Sequence, residues 1–480
     1  MITPTTLHAN RVIVIGGGVS GLTTAFWLKQ KGIDVVVLER AHRPGGLIQS
    51  RRESGFLLEH AATCVFNFLP EVDFFCQTLG LSSEMVFRQE AAKRRYLVKD
   101  GKPTSVPVTP AGFLTTNLLS FKAKLRLLME PFIPRGGGEG ETVAQFISRR
   151  FGREVYERAI EPYVSGTLAG DGEQACLRST FIQFGALEDE FGSILKGAMV
   201  RKVKGIRTSS CQARVFSFKE GMAALPGRVA QQLGEGFQSG CGVAGVERQG
   251  TRWTVSYVQD GVSKTVDGDA VVVATPAGDA GRLLQSLSSS LHLLLSGRAY
   301  SPMAVTYLGF PRENIDHDLD GIGCLIPKRE SEFKVVGSLW PATLFAHRAP
   351  QGQALFMNYM GGARDPGVLD RSDEELLARS QQDLKRLVGL KGEPTLAQVI
   401  RHDRALPRYD IGHQLFLKGI DESLKSLPGI FLTGNYLHGV SVRACISQGS
   451  EVADRVAALL KSSGSQFRQV QPLSSSSAIR

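Results

Sequence analysis

The chain has 480 residues, 42% of them hydrophobic and 21% charged, so it is long enough for roughly two or three domains and has the composition of a globular protein. Its net charge of +10 comes without a basic run or a recognised nucleic-acid-binding module, so we expect an anionic small molecule or membrane surface rather than nucleic acid. The seven cysteines include no Cys-x-x-Cys pair and the nine histidines show no ligand spacing, which argues against a metal site or a disulfide framework and for a reducing compartment.

The first predicted element is a strand of apolar, β-branched residues from Arg11 to Ile15. A Gly-x-Gly-x-x-Gly turn follows, then a helix from Leu22 to about Lys31 and a second strand from Asp34 to Leu38 that ends in Glu39. An acidic residue about 20 residues beyond the glycines completes the fingerprint of a dinucleotide-binding βαβ unit. A purely structural glycine-rich turn is the weaker alternative, because strand, turn, helix, strand and acid occur in the required order.

Each residue of this fingerprint has an expected physical role. Gly16 makes the tight turn, Gly18 lets the backbone approach a pyrophosphate, and Gly21 lets helix and strand pack closely. The free N–H groups of the helix N-terminus would face the phosphates, and the acid would accept hydrogen bonds from a ribose. The residues predicted to contact the dinucleotide here are Gly16, Gly18, Val19, Ser20, Gly21 and Glu39.

The residues after the acid distinguish the two common dinucleotides. A basic residue and a glycine pair follow at once, in the segment from Arg40 to Gly46, as in flavoproteins of the two-dinucleotide type, whereas NAD enzymes normally enter the next crossover helix. Two later strands, within 270–276 and 429–435, end in small residues, and a helix is predicted at about 444–461. FAD is therefore the predicted cofactor, with NAD as a minor alternative. The further cofactor-binding candidates are Arg40, Gly45, Gly46, Ala274, Gly434 and Asn435.

A helical block is predicted over residues 110–205. Its most distinctive helix has an apolar stripe at spacings of three and four residues, with basic residues mostly off the stripe, which consists of Leu118, Phe121, Leu125, Leu128 and Phe132. The helix either packs on its own domain or rests on a bilayer surface as a basic amphipathic helix. No run of about 18 apolar residues predicts a membrane span, and residues 1–10 are too short and polar for a targeting signal.

The predicted fold class is α/β, with a two-dinucleotide-type, Rossmann-like FAD-binding domain, an inserted α+β substrate domain and a helical, membrane-associating domain. Strands predicted at Met303–Gly309 and Ala354–Met360 belong to the substrate domain. The FAD domain is expected to be discontinuous. The predicted boundaries are 1–90, 206–295 and 401–465 for the FAD domain, 91–109 and 296–400 for the substrate domain, 110–205 for the helical domain and 466–480 for a disordered tail.

Four segments carry a resemblance to a known family: Phe121–Phe132, Glu161–Asp171, Pro407–His413 and Gly434–Ser441. With these segments the chain resembles protoporphyrinogen oxidases, within the flavin amine oxidase superfamily, from Arg11 to about 460. The resemblance implies oxidation of a porphyrinogen to a porphyrin, with FAD removing six electrons in three rounds and molecular oxygen forming hydrogen peroxide. It implies a cytoplasmic enzyme at the inner face of the cell membrane, leaves a homodimer open, and requires no catalytic side chain because the flavin N5 accepts the electrons.

The resemblance also implies roles for individual residues. Arg95 matches an arginine that pairs with a substrate carboxylate, although it could instead be a solvated charge beside Lys93 and Arg94. The other implied substrate-binding residues, each of which could also be a core residue, are Gly166, Ala169, Leu325, Leu339 and Tyr359. The implied cofactor-binding residues are Leu47, Val243, Gln414, Val440 and Ser441.

The chain departs from the family pattern at three places. Residues 59–64 stand where the family has Gly-Pro-Asn-Ser, and Ala61 and Ala62 should face the flavin there. Gln414 stands where relatives have Trp, and Leu47 where many have Arg. These departures put the local geometry and the choice of substrate in doubt, but not the FAD prediction.

Other functions stay open. A coproporphyrinogen oxidase would need more basic side chains for a four-carboxylate substrate, and the candidates for that role are Lys93, Arg94, Lys328 and Arg329. A true amine oxidase carries a lysine in the strand beneath the flavin, but Tyr300–Gly309 has none. A lipid desaturase would leave Arg95 without a purpose. A catalytically silent flavoprotein that binds a tetrapyrrole is the alternative from another functional class.

Overall fold

The computed structural model describes residues 10–138, 140–204 and 214–468, and the fold is α/β, as predicted. Residues 1–9, 205–213 and 469–480, which include most of the predicted tail, lie outside the described residues. The strands are β1 (Arg11–Ile15), β2 (Asp34–Leu38), β3 (Ser50–Glu53), β4 (Phe56–Glu59), β5 (Val65–Asn67), β6 (Met85–Phe87), β7 (Arg94–Lys99), β8 (Lys102–Ser105), β9 (Arg214–Phe218), β10 (Phe237–Gln238), β11 (Cys241–Gln249), β12 (Arg252–Gln259), β13 (Val262–Gly268), β14 (Ala270–Val273), β15 (Tyr300–Pro311), β16 (Gly321–Leu325), β17 (Gly337–Leu339), β18 (Gln353–Gly361), β19 (Leu396–Pro407) and β20 (Ile430–Leu432). The helices are α1 (Val19–Gln30), α2 (Pro70–Thr78), α3 (Pro110–Thr115), α4 (Phe121–Leu128), α5 (Val143–Phe151), α6 (Arg153–Val155), α7 (Glu161–Leu168), α8 (Leu177–Thr180), α9 (Ile182–Phe191), α10 (Ile194–Val203), α11 (Ala224–Leu233), α12 (Ala277–Leu283), α13 (Ser289–Ser296), α14 (Pro341–Leu344), α15 (Asp373–Val388), α16 (His413–Leu424) and α17 (Val442–Arg468).

A parallel five-stranded sheet, in the order β10-β2-β1-β14-β20, joins the beginning, middle and end of the chain. Its central strands are runs of Val, Ile and Ala that are buried on both faces, as expected for a parallel sheet covered by helices. The strands predicted at Arg11–Ile15 and Asp34–Leu38 have those bounds.

Helices cover both faces of this sheet. On one face α1 packs against α17, where the Thr23 hydroxyl donates to the Cys445 carbonyl at 3.2 Å and Gly449 leaves no room for a side chain beside Thr23. On the other face α12, α13 and α16 contribute apolar residues to a second core. Helix α17 extends beyond the predicted range 444–461 to Arg468, so the first residues of the predicted tail, 466–468, are helical.

A mixed seven-stranded sheet has the order β19-β15-β18-β17-β16-β7-β8. It unites residues 94–105 with residues 300–407, because β7 pairs with β16 although more than two hundred residues separate them. Strand β19 pairs with β15 as far as Pro407, so the predicted boundary at residue 400 falls inside a strand. Helix α15 covers the outer face, and the inner face packs on Phe56 and Leu58 of β4.

The segment from α3 to α10 is helical and encloses a network of buried charges. Arg150, with no exposed surface, donates to Glu130 at 3.2 Å and also to Glu188. Glu130 accepts in addition from the Ser193 hydroxyl at 2.5 Å, and Arg149 donates to Glu188 at 2.9 Å. This network ties α5 to α9 and to the residues that follow α4.

Helix α4 does not bury its predicted apolar stripe. Only Leu118 of the stripe is buried, whereas Phe121 and Phe132 are 82% and 80% exposed and Leu125 and Leu128 are about half exposed. The stripe is therefore not the core-facing surface of α4, which packs on its own domain through Ala123 and Leu127 instead. Among the described residues, no helix is both long and apolar enough to cross a bilayer.

We expect Arg150→Met to destabilise the protein by about 3–5 kcal/mol, because it leaves the carboxylates of Glu130 and Glu188 buried without their main partner. Urea unfolding followed by circular dichroism measures the loss. The control is Arg178→Met, which removes an exposed pair with Asp189 and should cost less than about 1 kcal/mol. Equal losses in the two variants would contradict the structural importance of the network.

Candidate active site

The glycine turn after β1 forms a cradle at the carboxyl edge of the parallel sheet. Gly16 has a φ of +109° and lies against the Ala274 carbonyl, and a Cβ at Gly21 would overlap the Gly16 carbonyl oxygen. A Cβ at Gly18, in contrast, would meet no protein atom within 4 Å. Gly16 and Gly21 are therefore required by the fold, whereas Gly18 borders open space beside Val19, the first residue of α1.

Glu39 is held at the end of β2 in the position expected of a ribose-binding acid. Its carboxylate accepts hydrogen bonds from the N–H groups of Gly17 at 2.5 Å and Ala41 at 2.8 Å. Its carbonyl accepts from the N–H of Cys241 at 2.8 Å, which brings the start of β11, and with it Val243, next to the acid. The glycine turn and β11 thus both meet at Glu39, the first at its carboxylate and the second at its carbonyl.

The glycine pair predicted to approach a pyrophosphate lies against the first glycine motif. The Gly45 N–H donates to the Gly17 carbonyl at 2.8 Å, and a Cβ at Gly46 would lie 3.2 Å from the Cα of Gly18. The side chains of Arg40 and Leu47 are exposed, so the structure brings the glycines together but does not hold these two side chains in the cradle.

Tyr409 connects the two late motifs. Its hydroxyl donates to the Asn435 carbonyl at 2.5 Å and accepts from the Gly439 N–H at 2.7 Å, while its ring stacks on His413 with 4.2 Å between centroids. These contacts shape the loop from Gly434 to Ser441 that leads into α17. The role of this hydroxyl was missed from sequence, although its place between two recognised motifs was a signal.

Two predicted cofactor-binding side chains are engaged elsewhere. The Gln414 amide donates to the Ser179 hydroxyl of α8 at 2.9 Å, so it joins α16 to the helical segment. The Ser441 hydroxyl accepts from the Ala444 N–H at 3.2 Å and caps α17, while the neighbouring Val440 is partly buried at the same helix start. This bond uses one N–H of the Gln414 amide and leaves its Oε1 for another partner.

The residues at this edge of the sheet fit a dinucleotide. Thr275 and Thr433, which follow β14 and β20, have buried hydroxyls without a hydrogen-bond partner. Buried hydroxyls normally have partners, and ligands of parallel α/β sheets bind outside the carboxyl ends of the strands. The open space at Gly18, the carboxylate of Glu39 and these two hydroxyls surround the same edge and suit phosphates, a ribose and a polar ring system.

The predicted substrate residues share the inner face of the seven-stranded sheet. Gly337 of β17 pairs with Leu325 on one side and with Tyr359 on the other, so both side chains point to the same face. Leu339 lies two residues after Gly337 and shares that face. Gly337 itself contributes no side chain, and a Cβ built there would lie 3.0 Å from a methyl group of Leu325, so Leu325 packs over this glycine.

The loop that the resemblance placed near the substrate contacts this face. A Cβ at Gly166 of α7 would lie 2.7 Å from a methyl group of Leu325. Ala169 has a φ of +53°, and its carbonyl accepts from the Ser301 hydroxyl at 2.8 Å. The structure therefore brings Gly166 and Ala169 together with the apolar side chains of the sheet.

Arg95 lies on the same face, at its edge. Leu97 pairs with Leu325, so Arg95, two residues earlier in β7, points to the inner side, whereas Arg94 points to the outer side and pairs with Asp320 at 2.7 Å. Arg95 makes no ion pair with any described residue, and its guanidinium lies 5.9 Å from the centre of the Phe66 ring. The alternation of the strand therefore separates a paired arginine from an unpaired one.

Glu59 is a buried acid that the sequence analysis treated only as part of a departure from the family pattern. Its carboxylate accepts from the Ser50 hydroxyl at 2.5 Å and the Met222 N–H at 2.9 Å and lies 3.4 Å from Arg348. Burial raises the pKa of Glu59 to about 7 and lowers the pKa of Arg348. The Tyr307 hydroxyl donates to the Glu59 carbonyl at 2.7 Å. This hydrogen bond joins β4, which contains Glu59, to the inner face of the large sheet.

Comparison with known proteins gives consistent matches over nearly the whole chain. The family model for flavin containing amine oxidoreductases matches residues 19–457. Protoporphyrinogen oxidase 2, chloroplastic/mitochondrial, of Arabidopsis thaliana is 31% identical over 95% of each chain, and coproporphyrinogen III oxidase of Bacillus subtilis is 29% identical over 91% of this chain and 96% of the relative.

Solved structures share the fold. A crystal structure of a candidate protoporphyrinogen oxidase from Exiguobacterium sp. 255-15 has a TM-score of 0.76 at 21% identity and covers 94% of this chain and 99% of that one. A putrescine oxidase bound to putrescine has a TM-score of 0.66 at 16% identity and covers 94% and 99%. At these identities the structures show the fold alone.

We expect Gly18→Val to give a folded but colourless protein, because its β-branched side chain would fill the space expected for the pyrophosphate without touching the protein. Gly21→Val is the matched control, since its side chain would overlap the Gly16 carbonyl and should prevent folding. Visible absorbance reports the flavin and circular dichroism the fold. A Gly18→Val protein that keeps its full yellow colour would contradict this arrangement.

Proposed function

Since the chain belongs to the family of flavin containing amine oxidoreductases, as its resemblance predicted, we propose that this FAD-dependent oxidoreductase oxidises protoporphyrinogen IX to protoporphyrin IX. We propose molecular oxygen as the electron acceptor and hydrogen peroxide as the by-product. Relatives named protoporphyrinogen oxidase, about as long as this chain, support the substrate class.

The observation that carries this proposal is the inner face of the large sheet. Leu325, Leu339 and Tyr359 form a group of apolar side chains on it, and an exposed Arg95 without an ion pair to any described residue lies at its edge. A porphyrinogen is a broad apolar macrocycle with carboxylates along one edge. Apolar side chains suit the macrocycle, and a guanidinium with a free fork of N–H groups suits a carboxylate.

The protein would contribute orientation rather than a reacting side chain. FAD, when bound, supplies the atom that accepts electrons from the substrate. Arg95 binds a carboxylate, and the apolar side chains hold the macrocycle in one plane. The Tyr359 hydroxyl lies 3.1 Å from the Met357 sulfur, a partner within its own strand, so the ring can serve as an apolar surface. Fixing the substrate in a reactive position converts binding energy into rate.

Coproporphyrinogen III is the alternative substrate, because relatives with that name match at similar identity. Of the four basic residues suggested for a four-carboxylate substrate, three are paired: Lys93 with Glu90 at 3.0 Å, Arg94 with Asp320 at 2.7 Å and Arg329 with Glu157 at 3.7 Å. Lys328 is exposed and makes no ion pair with a described residue. These pairings favour the substrate with fewer carboxylates. An amine substrate is disfavoured because β15 carries no lysine.

We propose that the large sheet and the helical segment are insertions into a discontinuous FAD domain, and that α4 rests on an anionic membrane at the inner face of the cell membrane. The support is the exposed stripe of Phe121, Leu125, Leu128 and Phe132 on a helix that also carries an exposed Lys122. An apolar stripe with basic flanks is the pattern of an interfacial helix. The net charge of +10 favours an anionic surface.

Anaerobic reduction tests the proposed reaction. Purified yellow protein is mixed without oxygen with protoporphyrinogen IX, with coproporphyrinogen III or with a primary amine in parallel reactions. Flavin bleaching is recorded first. Oxygen is then admitted, and porphyrin fluorescence is followed. Bleaching by protoporphyrinogen supports the proposal, and faster bleaching by coproporphyrinogen would assign the alternative. Bleaching by the amine alone, or porphyrin binding without bleaching, would overturn porphyrinogen oxidation.

We expect Arg95→Gln to raise KM about tenfold or more, because it removes a charge-assisted hydrogen bond to the substrate. The flavin spectrum should not change. The matched control is Arg94→Gln, since Arg94 points to the other side of the same strand and pairs with Asp320. Arg94→Gln should keep the KM of the native protein. If Arg95→Gln keeps it as well, Arg95 does not bind the substrate.

We expect the native protein to sediment with vesicles of phosphatidylglycerol at low salt and to be released by high salt, as binding by exposed apolar and basic groups requires. Replacing both Phe121 and Phe132 by Glu should abolish this binding. Leu293→Glu, on the exposed surface of α13, is the control and should bind normally. Native protein that stays in the supernatant would argue against a membrane surface.

A further inference from the structure

A second unpaired arginine lies at the start of α17. The Arg443 guanidinium is 3.7 Å from the centre of the Phe68 ring, and its buried Nη1 has no hydrogen-bond partner. Burial lowers the pKa of Arg443, and the nearby Tyr163 and Glu71 oppose this shift only in part. A partly buried cation without a hydrogen-bonded partner is costly, so a site that keeps one is suited to an anionic ligand.

Arg443 and Arg95 lie over neighbouring rings. Phe66 is in β5 (Val65–Asn67), and Phe68 is the first residue after that strand, so the two rings are close neighbours along the chain. Arg95 lies over the first ring at 5.9 Å and Arg443 over the second. Two guanidinium groups from distant parts of the sequence therefore lie over rings that are two residues apart in the chain, at the edge of the proposed substrate face.

Tyr163 of α7 completes the group. Burial raises the pKa of its phenol, and the positive charges of Arg443 and Arg95 both oppose that shift, so the phenol lies within electrostatic reach of both. Its helix is anchored by Glu161, whose carboxylate accepts from Arg364 at 2.7 Å. The phenol is thus held between the two cations on a fixed element.

The two fully buried arginines differ from Arg443 because they have carboxylate partners. Arg150 pairs with Glu130 and Glu188, and Arg348 lies 3.4 Å from Glu59. The acid nearest to Arg443, Glu71, accepts a hydrogen bond from Ser447 instead. An internal ion pair therefore explains Arg150 and Arg348 but not Arg443, nor Arg298, which lies over the Phe416 ring at 4.9 Å with an unpartnered buried Nε.

We propose that Arg443 and Arg95 bind the two neighbouring propionates of one porphyrinogen, with the Tyr163 hydroxyl donating to one of them. This assignment rests on the proposed function and deepens it, because it adds a second carboxylate site. Two guanidinium groups side by side match a dicarboxylate edge in number and in charge. Binding both propionates fixes which edge of the macrocycle faces solvent and therefore which carbon faces the flavin.

The test compares full-length holoprotein with Arg443→Gln, using protoporphyrinogen IX and its monomethyl ester, in which one propionate has lost its charge. For the native protein we expect KM to be about tenfold higher for the monoester, because one charge-assisted contact is lost. For Arg443→Gln the KM of the diacid should rise about tenfold and the ratio between the two substrates should fall to about one. The kcat and the flavin spectrum should change little, and Arg443→Lys should restore part of the discrimination.

Arg455→Gln is the matched control, because Arg455 lies on the same helix over the Phe431 ring at 5.7 Å, three turns further along. It should keep the discrimination of the native protein. Equal KM values of the native protein for diacid and monoester would overturn the second carboxylate site without any variant, and so would an Arg443→Gln protein with unchanged KM values. Both results leave porphyrinogen oxidation intact, whereas a native protein that no porphyrinogen bleaches would overturn the proposed function itself.

Discussion

The pairing of β1 with β2 on one side and β14 on the other is the constraint on which the structure depends. It places the glycine turn in the middle of a parallel sheet, and β20 extends the same sheet from near the end of the chain. All carboxyl ends of a parallel sheet lie at one edge, so the glycines, Glu39 and the loops after β14 and β20 must meet there. The chain segments between these strands therefore begin and end at this sheet.

The second sheet depends on this arrangement for its position. Its inner face packs on β4, a hairpin strand that follows the glycine pair, and Tyr307 bonds the carbonyl of Glu59 in that strand. The apolar face of Leu325, Leu339 and Tyr359 is thereby oriented relative to the cofactor edge by contacts outside both sites. For a reaction that a flavin performs, the relative orientation of these two surfaces is what the protein can supply.

Charge is used in two ways in this molecule. Inside the helical segment and around Glu59, charged side chains are buried with partners and connect elements that are distant in sequence. At the edge of the substrate face, Arg95 and Arg443 lie over aromatic rings without a carboxylate partner among the described residues. Paired charges join distant elements, and the two unpaired arginines are those proposed to bind an anionic substrate.

The sequence alone was sufficient for the elements whose signal is local: β1, β2, the glycine turn, Glu39, the FAD cofactor and the family. Their residues are consecutive and their periodicity is short-range. The tertiary structure alone decided that Arg95 rather than Arg94 shares a face with Leu325, since this depends on the register of a strand pair more than two hundred residues apart. It also paired the Gln414 amide with Ser179, left the apolar stripe at α4 exposed and placed Arg95 and Arg443 over the rings of Phe66 and Phe68. Spacing along a chain carries no information about such neighbours, because they are created only when separate elements pack.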